Sequence, residues 1–218
     1  MGRNFWFGNK SSKNEVQTPQ PRVGQAQAQS QIMKEQFELL PVERRADARI
    51  AVYGIASGNG LDQLVPCGAG QVMGIDTKQN FIDECRQRWQ ELEEHLSLHW
   101  LEDVGDPTKT AEAIADCDLI IANLWMGHMY IETFARIVKM LPKHGQIISC
   151  VLKADTDRSL TTAAKKDVFF KAIADYSKES NKSAVDQAMK AGGFRLLERK
   201  VYELTDWKQF IRCDYAMK

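Results

Sequence analysis

The chain has 218 residues, 44% of them hydrophobic and 27% charged, with 29 basic residues balanced by 29 acidic ones. That length suits one domain with an appendage, and the composition is that of an ordinary soluble globular protein with a sizeable core. Zero net charge weighs against a protein built to grip nucleic acid through its phosphates, and no apolar run nears the roughly 18 to 20 residues needed to span a bilayer.

The beginning, Met1-Gly-Arg-Asn-Phe-Trp-Phe-Gly, carries no secretory apolar region, and Trp6 stands where a myristoylation pattern wants Ser or Thr. Residues 1–31 read as a flexible polar leader, rich in Gln, Asn, Ser, Lys and Pro. Phe5, Trp6 and Phe7 are its one apolar cluster, suited to docking on the domain or a partner. Residues 32–218 then form the folded domain. Ile32, Met33, Phe37 and Leu40 predict a short amphipathic helix, ended by Pro41. Strand-like segments follow at 49–54, 71–76, 96–101, 118–123 and 145–152, alternating with helical patterns at 61–66, 78–94, 108–116 and 129–141. The alternation predicts an α/β fold whose parallel sheet is covered on both faces.

The 153–191 stretch carries Lys165, Lys166, Phe169, Phe170 and Tyr176 and suits either a helical lid or an ordinary solvated helix. After Gly192-Gly193 come two strand-like runs broken at Thr205-Asp206, an antiparallel hairpin that brings the count to seven strands. Five cysteines (67, 85, 117, 150 and 213) lie scattered without a C-x-x-C pair. They read as reduced, buried thiols of a cytoplasmic protein.

The most informative stretch is Arg49-Ile-Ala-Val-Tyr-Gly-Ile-Ala-Ser-Gly-Asn-Gly-Leu61. A β-branched run enters a loop with glycines at 54, 58 and 60, able to turn sharply and bring backbone N–H groups close to a ligand. Gln71-Val-Met-Gly-Ile-Asp76 then ends a second strand in a carboxylate suited to the two hydroxyls of a ribose. Asp76 equally suits an N-cap for the helix that follows. No Gly-Lys-Ser/Thr closes the loop, so it is not a P-loop, and its G-x-x-x-G-x-G order departs from the dinucleotide fingerprint.

That glycine spacing, the acid sixteen residues beyond Gly60 and the closing hairpin resemble class I S-adenosylmethionine-dependent methyltransferases. The likeness runs, as an order of elements, over about residues 45 to 218, and implies a Rossmann-like three-layer sandwich with a mostly parallel seven-stranded sheet. It implies S-adenosyl-L-methionine as cofactor, with the backbone of Gly54, Ile55, Ala56 and Gly58 against its methionine and ribose. Asp76 would accept from the ribose hydroxyls with Thr77 beside the adenine, Asp103 and Val104 would read and cover that ring, and Asn123 would stand near the methyl donor. Asn123 is also suited to capping the next turn, and Asp106 before Pro107 to starting a helix. The family usually has an acid two residues before the first glycine; here that residue is Val52, so the ammonium group needs another acceptor.

Methyl transfer is an in-line displacement governed by alignment, with a base needed only where the acceptor must lose a proton. His128 is the candidate base, and Trp125 and Tyr130 are candidates to line an acceptor site, though each residue type also serves as a cap or packing group. The Asn/Asp-Pro-Pro-Tyr/Phe signature of many amino-group methyltransferases is absent after Asn123, which favours a small-molecule acceptor while leaving nucleic acid or protein open. His95 and His99 alternate along a strand and do not form a metal pair. A non-catalytic binding or scaffold protein of the same fold is the alternative, and a nicotinamide-dependent oxidoreductase is disfavoured by the glycine order.

Overall fold

The computed structural model describes residues 23–55, 58, 60–64, 67–91, 97–102, 106–123, 131–142, 145–155, 181–204 and 208–217, with backbone alone at 97–99, 101, 131, 154–155 and 181–183. Helix α1 (Gln25–Phe37) precedes strand β1 (Arg49–Tyr53). Strand β2 (Gln71–Asp76), helix α2 (Gln79–Arg88), strand β3 (Ser97–Glu102) and helix α3 (Pro107–Ala113) follow. Strand β4 (Leu119–Asn123), helix α4 (Ile131–Met140) and strand β5 (Ile147–Asp155) lead to helix α5 (Asn181–Ala191) and the hairpin β6 (Phe194–Glu203) and β7 (Lys208–Met217).

The seven strands form one sheet in the order β3-β2-β1-β4-β5-β7-β6. β1 to β5 run parallel, and β7 lies antiparallel between β5 and β6. The expected sandwich, parallel sheet and closing hairpin are therefore present. The chain reverses its strand order between β1 and β4, so the carboxyl ends of these strands border the crevice where open α/β sheets bind ligands.

Alternation along the strands divides the core. Ala51, Tyr53, Ile120, Ala122, Ile148 and Cys150 face α3, α4 and α5, meeting Ile114, Phe134, Val138, Val185 and Met189. Ile50, Val52, Val72, Leu119 and Ile121 face the other way, under α1, α2 and the loop after β1, meeting Met33, Phe37, Leu61, Leu64 and Cys85. Burial pushes the Cys85 thiol up to about 12 and Cys117 to about 11, so both pack as neutral groups. No described helix is long and apolar enough to cross a membrane.

Three boundaries differ from expectation. The flexible leader does not extend to residue 31: Val23 bridges Leu204, α1 starts at Gln25, and Ala28 is wholly buried. Gln and Ala favour helix, and a single buried Ala left too thin an apolar stripe to read. The helix expected over 61–66 is a 3₁₀ turn, Leu61–Gln63, preceded by Gly60 in the left-handed region. Gly60 lies against α1, where an added Cβ would stand 2.9 Å from the Met33 Cβ and 3.2 Å from the Gln29 carbonyl oxygen. Helix α1 thus occupies space a crossover helix would take. Finally, 181–191 is no lid, because Val185, Ala188 and Met189 are buried in the core; residues 156–180 lie outside the described residues.

Candidate functional site

The loop after β1 is tied to the end of β2 by its first two amides. The Gly54 and Ile55 N–H groups both donate to the Ile75 carbonyl, at 2.8 and 3.1 Å. Gly54 takes φ 72°, which opens the bend that this doubled contact needs. The next residue on β2 is Asp76, so the glycine loop and the carboxylate adjoin at the carboxyl edge of the sheet. Gly74 makes the approach possible: a Cβ there would meet Ile55 Cδ1 at 2.6 Å and Trp100 at 2.8 Å. Ile55 is consequently buried.

Asp76 is 6% exposed, and its Oδ1 accepts from the Lys78 N–H at 3.2 Å, at the turn into α2. The expected N-cap role is not Asp76's: the N-cap is Lys78 and no side chain caps α2 there, so Asp76 braces the turn ahead of the helix through this bond. A carboxylate offers about four acceptor positions, so this bond and a diol contact are compatible. Thr77 is exposed beside it. Gly58 also has a positive φ, 68°, but its missing Cβ makes room for the protein: an added one would stand 2.5 Å from Cys85 Sγ and 2.6 Å from Trp89 Nε1. A Gly58→Val change would therefore dislodge α2, and is not the clean binding test its place in a glycine motif suggests.

Asn123 closes β4. The pair Tyr53↔Ala122 sets it level with Gly54, so Gly54, Asp76 and Asn123 lie along one edge of three adjacent strands. Its amide forms a reciprocal pair with Gln36 of α1: Gln36 Nε2 donates to Asn123 Oδ1 at 2.7 Å and Asn123 Nδ2 donates to Gln36 Oε1 at 2.8 Å. Asp106 does start α3, accepting from the Thr108 N–H at 2.9 Å ahead of Pro107. Ala56, Asp103, Val104, Trp125, His128 and Tyr130 lie outside the described residues.

Sequence reasoning missed Gln36 and, behind it, a buried polar chain. Gln36 Nε2 also donates to Ser149 Oγ at 2.8 Å, Ser149 donates to Asp214 Oδ1 at 2.5 Å, and Arg212 Nε donates to Asp214 Oδ2 at 2.9 Å. Arg212 continues to Glu198 at 2.8 Å and Glu35 at 2.6 Å, and Lys200 and Tyr202 also donate to Glu35. The available signal was a polar residue inside an apolar stripe, between Met33 and Phe37.

No protein-family model matches the chain, and no curated protein does. Solved structures do. Magnesium protoporphyrin IX methyltransferase of Synechocystis PCC 6803, with bound SAH, superposes with a TM-score of 0.56 at 15% identity, over 92% of this chain and 90% of that one. Geranyl diphosphate C-methyltransferase of Streptomyces coelicolor A3(2), with Mg2+, geranyl diphosphate and S-adenosyl-L-homocysteine, gives 0.59 at 10% identity, over 88% and 79%. The pyocyanin biosynthetic protein PhzM gives 0.56 at 14% identity; 85% of this chain covers about half, 54%, of it. At such low identity these likenesses define a fold, and the chain has the fold of class I S-adenosylmethionine-dependent methyltransferases.

Proposed function

We propose that the protein is an S-adenosylmethionine-dependent methyltransferase acting by in-line transfer on a small-molecule acceptor. The observation that carries this reading is the bond from Gly54 N–H to Ile75 O, which sets a left-handed glycine turn directly beside Asp76. Gly54, partly exposed at this edge, offers main chain without a side chain, the resemblance extends that contact to Ile55, Ala56 and Gly58, and Asp76 offers an acceptor pair for a ribose. Thr77, Asp103 and Val104 take the adenine, and Asn123 stands at the amino-acid and methyl end. When bound, S-adenosylmethionine supplies a methyl group on a sulfonium already activated for displacement. What remains for the chain is to hold acceptor and donor in line. Trp125 and Tyr130 line the acceptor side, and His128 takes a proton where the acceptor carries one. Neighbours of this fold are named for a tetrapyrrole and a prenyl diphosphate, so the acceptor is chosen by local side chains and not by the fold.

Calorimetric titration with S-adenosylhomocysteine tests the reading. Binding is expected, and Asp76→Ala should weaken it about tenfold or more, the loss of a hydrogen bond to a charged group. Absence of heat at millimolar ligand overturns it. A specific observation supports a second reading, a non-catalytic member of the fold: Val52, where the family has an acid, is buried among Ile50, Ile121 and Met33. Binding without methyl transfer to any acceptor in a fractionated extract would favour it.

A further inference from the structure

We propose that Gln36, on helix α1, is a positioning residue that holds the Asn123 amide as acceptor for the amino-acid end of S-adenosylmethionine, replacing the acid absent at Val52. The inference rests on the proposed cofactor. Val52 is 3% exposed and apolar, so β1 brings no negative charge to the carboxyl edge. Asn123 stands level with Gly54 on the neighbouring strand and is half-buried there. An amide oxygen is the nearest chemical substitute for a carboxylate toward an ammonium group, provided that it faces the right way.

An unrestrained asparagine can present oxygen or nitrogen. Here the choice is dictated from a distance. Asp214 is wholly buried and held by Arg212 Nε, and as a carboxylate it only accepts. Ser149 must therefore donate its O–H to Asp214, leaving its oxygen to accept. Only the NH2 end of Gln36 can satisfy that acceptor, so the Gln36 oxygen is turned to the Asn123 N–H and its second N–H to the Asn123 oxygen. Both N–H groups of Gln36 are committed. Among the described residues, Asn123 keeps one acceptor lone pair and one N–H beyond the pair, in a fixed orientation. A glutamine serving only to fill space would stand at a wholly buried position where an apolar residue requires no partner.

The test is calorimetry on the full chain with two probes, S-adenosylhomocysteine and 5′-methylthioadenosine, which shares the nucleoside but lacks the amino-acid end. Gln36→Leu and Asn123→Ala are each expected to weaken S-adenosylhomocysteine about tenfold, with 5′-methylthioadenosine held within about twofold, and the double variant to lose no more than either alone. Glu35→Gln is the control. It loosens the neighbouring α1 contact to Lys200 and Arg212, lowering the melting temperature without moving either affinity. Equal losses for both probes, or none for either, overturn the inference while the cofactor reading stands. A wild-type chain that binds neither probe overturns the cofactor reading and this inference with it. If Gln36→Leu fails to fold, the half-buried Asn123→Ala decides by the same ratio.

Discussion

The two faces of the sheet are covered by different means. Under α3, α4 and α5 the contact is mainly apolar, with Ile120, Ile148, Phe134, Val138 and Val185 meeting by shape and a single charged contact, Asp186 of α5 with Arg199 and Tyr215, beside them among the described residues. Under α1 the apolar contacts of Ile32 and Phe210 surround a charged core in which Arg212 alone meets Glu35, Glu198 and Asp214. Apolar contact is non-directional and tolerates a slipped register. The Arg212 fork, by contrast, is satisfied in one register of α1 on the hairpin. Helix α1 is thus held to the sheet by groups that also specify where it sits, and this is the helix whose Gln36 reaches the carboxyl edge.

The largest effect should come from removing the hub of the charged face. Arg212 has a side chain only 4% exposed, and Arg212→Ala would strand the buried carboxylate of Asp214. A loss of about 3–5 kcal/mol is expected in urea unfolding, the usual result of leaving a buried charge unpaired. A loss under about 1 kcal/mol would mean that the two faces do not differ as described. On the apolar face, Phe134→Ala should cost about 3 kcal/mol through lost burial and the cavity left behind. Phe134 already borders a small apolar cavity with Tyr53, Ile120, Val138 and Leu141, so removing the ring enlarges a space its neighbours have not closed. The two losses differ in kind: only the first should change with pH.

That pH dependence has a definite sign. Burial alone would raise the Glu35 pKa, but hydrogen bonds from Lys200, Tyr202 and Gln31 and the Lys200 charge hold it below its ordinary 4.5. A lowered folded-state pKa means stability that is present above 4.5 and lost as pH falls through the folded value. Asp214 runs the other way, since burial raises its pKa above 3.8 against the bonds from Ser149 and Arg212. Its contribution is full below 3.8 and fades as pH rises through the raised value, so it opposes Glu35. The difference in melting temperature between wild type and Glu35→Gln should accordingly narrow as pH falls below 4.5. A difference that stays constant to about pH 3 would remove Glu35 as the acid-sensitive tie.

What could be read in advance divides along the same line as the faces. The strands, the hairpin and the glycine turn beside Asp76 were legible, because they depend on period-two alternation and local turn chemistry. Asp106 was legible as a local cap for the same reason, whereas the N-cap of α2 fell to Lys78 and not to Asp76. Gln36, Ser149, Arg212 and Asp214 were not legible: Gln36 meets Ser149 across 113 residues, Ser149 meets Asp214 across 65 and Arg212 meets Glu35 across 177, and each alone looks like a surface residue. The early start of α1 escaped because Ala28 alone extends its buried stripe ahead of Ile32, too little for periodicity to read. Gly58 and Gly60 were noticed, but the protein atoms that crowd them, on α2 and α1, could be known only once the helices were placed.

The smallest effect expected lies outside both faces. Arg49 reaches Asp116 at 3.3 Å near the amino ends of β1 and β4, with side chains 46% and 75% exposed. Water screens this pair and the long side chain gives up rotamer freedom to form it, so Arg49→Ala should change stability by less than about 0.5 kcal/mol. The backbone N–H of Arg49, which donates to Asp118 Oδ2 at 3.0 Å, survives the substitution and keeps the strand end in place. A melting temperature unchanged within error in Arg49→Ala, beside a large drop in Arg212→Ala, would show that desolvation of the carboxylates, and not the mere count of arginine–carboxylate contacts, makes the α1 face depend on charge.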